Sequence, residues 1–330
     1  MDLFRRIFKR GEPATKKNEA LPQSEIVTQP LDPTYLTKTK GTEEPVAQDT
    51  APPAKQEPLK TRPLPPPKPF SSTHRRIKFG QASDMGQVRN NNQDACLSIM
   101  ATAELMGNPP PIGFFVVADG MGGHRDGELA SATAVQTLAK HILEEIVLPH
   151  VDGRERTADQ KTIPEVLAEA MQAANEAVQA QISDGGTTAT CAVVRGDLTY
   201  IAHVGDSRAY LITDDKLELI TRDHSLVRRL QELGQLTSEE AEVHPQRNVL
   251  YRALGQSESL EVDAATRRLP PSSKLLLCSD GLWGVVGDEK MMEILKENEK
   301  PQEACDKLVA LANTLGGPDN ITVVLMQMPE

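Results

Sequence analysis

The order of the apolar runs restricts the fold of this chain more than any other feature. From His74 onward, short runs rich in β-branched and aromatic residues come in groups. "RRIKFGQAS", "DACLSIM" and "GFFVVAD" form one group, "TTATCAVVRG", "LTYIAHVGDSRAYLI" and "KLELIT" a second, "SLEVDAATRRL" and "SKLLLCSDG" a third, and "NITVVLMQM" closes the chain. Helical periodicity is confined to two pairs. "GELASATAVQTLAKHILEEIV" is followed by "TIPEVLAEAMQAANEAVQAQI", and "DEKMMEILKEN" by "PQEACDKLVALANTL". A doubly wound parallel sheet needs a helix after nearly every strand. Grouped strands with helices in separate runs predict antiparallel sheets covered by helices, an α/β fold of the α+β type. One insertion, residues 223–255, interrupts the strands with short helical pieces and a polar run. It reads either as a solvated excursion or as a flap beside a cleft, since loops this long in compact domains are often functional.

Residues 1–73 have a different composition. Thirteen of the 24 prolines lie in residues 1–70, and "TRPLPPPKPF" is close to a polyproline segment. Such a stretch buries too little apolar surface to offset its conformational entropy, so a disordered Pro-rich arm is expected, with a folded domain over 74–330. The start, "MDLFRRIFKR", sets Leu3, Phe4, Ile7 and Phe8 against Arg5, Arg6, Lys9 and Arg10. On a helix this makes one apolar and one basic face, a pattern suited to docking on a membrane surface or a partner through residues 1–10. No apolar core or cleavage site follows, so the segment is not read as a secretory signal.

Charge follows the same division. Residues 1–75 carry 13 basic and 9 acidic side chains, and residues 76–330 carry 23 and 38. A net charge of −11 argues against a nucleic-acid partner. A carboxylate-rich domain suits solubility, or hard divalent cations that take oxygen ligands. Cys96, Cys191, Cys278 and Cys305 lie in apolar settings with no CxxC pair, which reads as buried reduced thiols in a cytoplasmic protein. None has an arginine six residues later, so the C-x5-R pattern of cysteine-nucleophile enzymes does not occur.

Five aspartates stand at the edges of strand runs: Asp94 in "RNNNQDACLSI", Asp119 in "VVADG", Asp206 in "AHVGDSR", Asp280 in "LLLCSDG" and Asp319 in "GGPDNITVV". Each alone reads as a turn or cap residue. A carboxylate beside buried strands is expensive unless a positive charge offsets it, and the repetition points to a shared divalent-metal site. Gly120, Gly122 and Gly123 permit close backbone approach there, so the Gly120 carbonyl joins the candidate ligands. A helix beginning near Asp126–Glu128 would direct its N-terminal amides towards the site, where an anion is favoured.

The motifs "SDMGQVRNNNQDA", "VVADGMGGH", "GGTTATCAVV", "AHVGDSRAYL", "TRDHSLV", "LLLCSDGLWGVV" and "GGPDNITVVLMQ", in that order, resemble the bacterial form of the metal-dependent serine/threonine protein phosphatases of the PPM (type 2C) family. The resemblance spans about residues 76–328. It implies a four-layer α-β-β-α sandwich and hydrolysis of phosphoserine and phosphothreonine in proteins. It also implies two Mn2+ or Mg2+ ions that share Asp119. Asp94 and the Gly120 carbonyl would bind one ion, Asp280 and Asp319 the other, and Asp206 with Asp280 a third, weaker ion. A water or hydroxide bridging the pair would attack phosphorus, with Arg89 binding the phosphate oxygens. Two positions depart from the eukaryotic pattern: Gln93 replaces a glutamate, and Met121 replaces a histidine. His124, three residues on, is either the general acid or a surface-loop residue. Arg208 is expected to partner a carboxylate, Thr187 and Thr188 to bond backbone, Asp223 and His224 to anchor the flap, and Trp283 to pack in the core. The implied partners are phosphoproteins, a serine/threonine kinase or its targets among them, and the chain is expected to be a monomer. The competing readings are a pseudophosphatase that binds without turnover, and a metal-dependent hydrolase of small phosphoesters.

Overall fold

The computed structural model of the chain describes residues 76–102, 109–123, 125–153, 159–214 and 216–330. The Pro-rich arm, its basic amphipathic start and His124 lie outside the described residues. Strands are numbered in chain order. The first sheet runs β1 (Lys78–Asp84), β11 (Ile321–Gln327), β10 (Lys274–Cys278), β7 (Arg208–Ile212) and β8 (Leu217–Leu219). The second runs β2 (Asp94–Ala101), β3 (Ile112–Gly122), β5 (Ala189–Arg195), β6 (Leu198–Val204) and β9 (Asp263–Arg268), with β4 (Gly185–Thr187) paired to the end of β3. The strand pairings are antiparallel.

Helices α1 (Asp126–Ile142) and α3 (Ile163–Gln181) cover the second sheet, and α7 (Asp288–Glu297) and α8 (Pro301–Thr314) cover the first. α1 continues through a π turn, Leu143–Val147, into the short α2 (Leu148–Val151). A capping box fixes the start of α3. Thr162 donates its amide to Glu165 Oε2 at 2.6 Å and accepts from the Glu165 amide at 3.4 Å.

The run "FFVVA" is apolar at every position because β3 has no solvent face. Phe114, Val116 and Ala118 pack with Ala130, Ala134, Leu167 and Met171 of the helices. Phe115 and Val117 face Leu275, Leu277 and Val324 of the other sheet. Across the sandwich, Leu276, Cys278, Val323 and Leu325 meet Met291, Leu295, Ala304 and Leu308. Central strands buried on both faces lose the usual alternation. Each such side chain contributes about 1.5–3 kcal/mol on full burial. A one-residue slip would exchange the two faces of a strand, so packing holds the register.

The insertion, called the flap below, forms an excursion between β8 and β9, with α4 (Leu226–Glu232) and α5 (Ser238–Glu242) within it. The four cysteines are free. Burial pushes the Cys96 thiol up to about 11 and Cys191, Cys278 and Cys305 to about 12. Among the described residues no helix is long and apolar enough to cross a membrane.

Candidate metal centre

Both sheets end at the same edge of the sandwich, and that edge is acidic. Asp94 opens β2 and lies directly opposite Asp119 near the end of β3 in the antiparallel register. Such partners have Cα atoms about 4.5–5.5 Å apart, so two carboxylates meet without any loop being needed. In the other sheet, β10 ends at Cys278 opposite Val323 of β11 and Arg208 of β7. Asp280 begins the single-turn helix α6 (Asp280–Trp283) just beyond β10, and Asp319 lies two residues before β11. Asp206 occupies the turn between β6 and β7 and is buried.

The fields of these groups overlap. Burial pushes the Asp94 carboxyl up to about 7, and the charges of Asp280 and Asp319 add to the shift. Burial and then Asp319 raise Asp280 to about 6. Asp119 lies well above the carboxylate range through burial and the charges of Asp94, Asp280, Asp206 and Asp319. Burial, then Asp280 and Asp223, raises Asp206 as well. Asp94 Oδ1 and Asp280 Oδ1 are buried and have no hydrogen-bond partner. These like charges, two of them with unpaired oxygens, outnumber the arginine charges of Arg89 and Arg208 that act on them. Among the described residues no three acidic, histidine or cysteine side chains form a ready-made set around one ion. Small hard cations ask for less: they retain several waters and take one or two carboxylates, with carbonyl oxygen also suitable. The oxygen-only donor set and its orphaned atoms therefore fit Mn2+ or Mg2+.

Neighbouring residues aim the donors. Ser279 donates its hydroxyl to Asp94 Oδ2 at 2.7 Å and accepts the Thr322 amide at 2.9 Å. With its only proton committed, Ser279 ties down one oxygen of Asp94 and leaves the other for a ligand. Asn320 accepts the Gln93 amide at 2.8 Å and donates to the Met85 and Asn91 carbonyls, each at 2.9 Å. It thereby secures the loop that carries Arg89. At Gly120, a Cβ would collide with the Gly127 carbonyl, so only glycine lets the end of β3 lie against the start of α1. Arg89 donates to Asp319 Oδ2 at 2.7 Å with its side chain 40% exposed, so one face of the guanidinium looks outward. Burial alone would lower the Arg89 pKa; the bond to Asp319 and the charges of Asp119 and Asp280 reverse that and raise it.

The sequence profile described as Protein phosphatase 2C matches residues 80–321. This chain belongs to the protein phosphatase 2C family. Phosphatases of this family are metal-dependent and use Mn2+ or Mg2+. A serine/threonine phosphatase, stp, of Listeria innocua is 39% identical over 245 residues, 74% of this chain and 93% of the relative. The Mycobacterium tuberculosis serine/threonine protein phosphatase PstP is 38% identical over 255 residues, 76% of this chain and 44% of PstP. A crystal structure of PstP superposes with a TM-score of 0.64 at 34% identity, covering 77% of this chain and 99% of that one. The PstP catalytic domain solved in complex with two manganese ions gives 0.62 at 33% identity, covering 77% and 99%.

Arg208 grips Asp223 through two bonds of 2.7 and 3.0 Å and stacks over the Trp283 ring at 3.5 Å. Trp283 is thus half-buried, between core and site, and its Nε1 donates to the Asp206 carbonyl at 3.1 Å. Thr187 donates its hydroxyl to the Asp119 carbonyl at 2.8 Å, and Thr188 Oγ1 accepts the Asp119 amide at 2.9 Å. Gln93 donates its side-chain amide to the Gly122 carbonyl at 3.4 Å, a bond that a glutamate could not make when ionised. The sequence reading missed Ser279 and Asn320. The only local signal was a small polar residue beside each strand-end aspartate, in "CSDG" and "PDN".

Ser279→Ala is expected to weaken Mn2+ binding about ten- to hundredfold, the ratio for leaving a buried group unpaired. Calorimetric titration of the metal-free protein measures it. Unchanged affinity would remove Ser279 from the support of Asp94.

Proposed function

We propose that residues 74–330 hydrolyse phosphoserine and phosphothreonine in proteins, with residues 1–73 as an appended arm. Asp94, Asp119 and the Gly120 carbonyl hold one divalent ion, and Asp119, Asp280 and Asp319 hold the second. Asp206, with Asp280, serves a third and weaker one. Ions bound there supply charge neutralisation and a water acidified enough to attack phosphorus in line. The observation that supports the assignment best is the pair of buried, unpartnered Oδ1 atoms on Asp94 and Asp280, within a set of mutually raised carboxyls.

The chain's own contribution is placement. Arg89, on the loop tied down by Asn320, turns its guanidinium fork to the phosphate oxygens, which it grips two at a time while remaining charged. Strand register sets Asp94 opposite Asp119, and Ser279 ties down one Asp94 oxygen, before any substrate arrives, so little reorganisation is needed during reaction. No side chain needs to act as nucleophile, and no covalent phosphoenzyme is formed. The substrates are phosphoproteins, a serine/threonine kinase or its targets among them. The reduced thiols suit a cytoplasmic setting.

The deciding experiment compares phosphopeptide and small-phosphoester turnover with Mn2+ and with a chelator. Turnover of phosphopeptides that needs Mn2+ and falls to background with chelator is expected. A strong preference for small phosphoesters would overturn the protein-phosphatase reading, and metal-independent turnover would overturn the metal assignment.

A further inference from the structure

The flap is joined to the candidate metal centre at both ends: Leu254 pairs with Thr187, which holds the Asp119 carbonyl, and His224 meets the turn that carries Asp206. His224 stands at the base of the flap, 1% exposed, directly after Asp223, which Arg208 holds. Its main-chain amide donates to the Gly205 carbonyl at 2.8 Å, and the Gly205 amide donates back to the ring at Nδ1, 3.0 Å away. On the other side the Tyr251 amide donates to the His224 carbonyl at 2.9 Å, and Ser225 forms a bridge with Leu250. His224 therefore links the outgoing and returning arms of the flap to the turn that carries Asp206.

The hydrogen bonds fix the tautomer. An amide N–H at Nδ1 requires a bare lone pair there, so the ring proton sits on Nε2. Nε2 is 3.3 Å from Asp263 Oδ2, which can accept it. Arg252 Nη1 lies 3.2 Å from Nε2, donor facing donor, and bonds instead to Asp263 Oδ1 at 2.9 Å. Burial and then the Arg252 charge lower the His224 pKa against the raising effect of Asp263, and the His203 ring lies tilted by 37° with its centroid 4.9 Å away. The ring is held neutral with its acceptor edge turned to Gly205.

The turn itself has little freedom. Gly205 has φ +108°, and a Cβ there would stand 2.6 Å from Thr188 Cβ. Ser207 Oγ and Thr188 Oγ1 are 2.7 Å apart, and the Asp206 carbonyl accepts from Trp283. The turn is thus braced by the residue that holds Asp119, by the helix that begins at Asp280, and by the flap.

We propose that His224 is a positioning residue whose Nδ1 edge holds the Gly205 amide and so fixes Asp206 to the base of the flap. This rests on the reading of Asp206 as a metal ligand only for its consequence at the ion; the clamp stands on geometry. The order of the flap and the weakest metal site are coupled through this ring.

The test separates the two edges of the imidazole in the full-length protein. Asn places an acceptor where Nδ1 was, and Gln places a donor where Nε2 was. His224→Asn is expected to recover most of the exchange protection of the Gly205 amide, whereas His224→Gln raises its exchange rate about ten- to hundredfold. The weakest Mn2+ binding step in calorimetric titration should weaken by a similar factor in H224Q and in Asp206→Asn, and far less in H224N. Should H224Q fold poorly, the ring 15N shifts of the unmutated protein still decide, because a proton found on Nδ1 overturns the proposal. Equal exchange in H224N and H224Q overturns it as well. If Gly205 protection follows the Nδ1 edge while Mn2+ binding is unmoved in H224Q and D206N, the clamp is upheld and Asp206 is not a ligand.

Discussion

Asp119→Asn lowers phosphopeptide turnover on the order of a thousandfold or more while the fold persists. The loss is large because the proposed assignment has this one carboxylate serve both ions, and metal-site electrostatics carry most of the catalysis. The fold persists because the hydrogen bonds of Asp119 with Thr187 and Thr188 use its main chain, which the substitution leaves intact. The same change removes one member of a mutually repelling set, so the metal-free variant should be more stable than the unmutated protein. Burial of these carboxyls, with their repulsion added to it, also gives the metal-free protein a pH signature. Asp94 titrates at about 7 and Asp280 at about 6 in the folded chain, both above the ordinary carboxylate value. Between the unfolded and folded values, the folded chain binds more protons than the unfolded chain. Stability is therefore fully present below about pH 4 for these groups and is lost as pH rises through about 6 to 7. Thermal denaturation of metal-free protein should fall by several degrees between pH 5.5 and 8, and Mn2+ should restore most at the higher pH. Native turnover in D119N, or a metal-free melting temperature that rises over this interval, would contradict the two-ion assignment.

Arg89→Ala separates substrate binding from metal binding, with shifts of opposite sign. The guanidinium occupies Asp319 Oδ2 at 2.7 Å, an oxygen assigned to an ion. Removing it frees that oxygen and deletes a positive charge beside the cation, so Mn2+ should bind a few-fold more tightly. The phosphopeptide KM should rise about ten- to hundredfold, as for loss of hydrogen bonds to a charged group. Steady-state kinetics at saturating Mn2+ and calorimetry without substrate measure the two effects independently. Arg89 would be reduced to a structural partner of Asp319 if both affinities fell together.

The strands and their aspartates were legible because both depend on short-range pattern. A run such as "FFVVAD" carries its own burial in its composition, and its terminal carboxylate stands out against it. The single turn of α6 was not legible, because four residues carry no helical period and the element is defined by where β10 stops. The roles of Ser279 and Asn320 were not legible either. Ser279 serves Asp94 across 185 positions of chain, and Asn320 serves Gln93 across 227. Asp223 and His224 were expected to anchor the flap, and they do, but the direction of the His224 ring proton emerges only from the groups that surround it.

Taken alone, the sequence determined that antiparallel strands would lie under helices and which acidic groups are available to an ion, because hydrophobic period and local charge are properties of neighbouring residues. Tertiary structure decided which oxygen of Asp94 is spoken for, that Arg89 bonds Asp319, and how the flap is fastened to the turn that carries Asp206. Those are outcomes of hydrogen-bond pairing between distant segments, and a proton can be assigned to one atom only after its partners have been brought within reach.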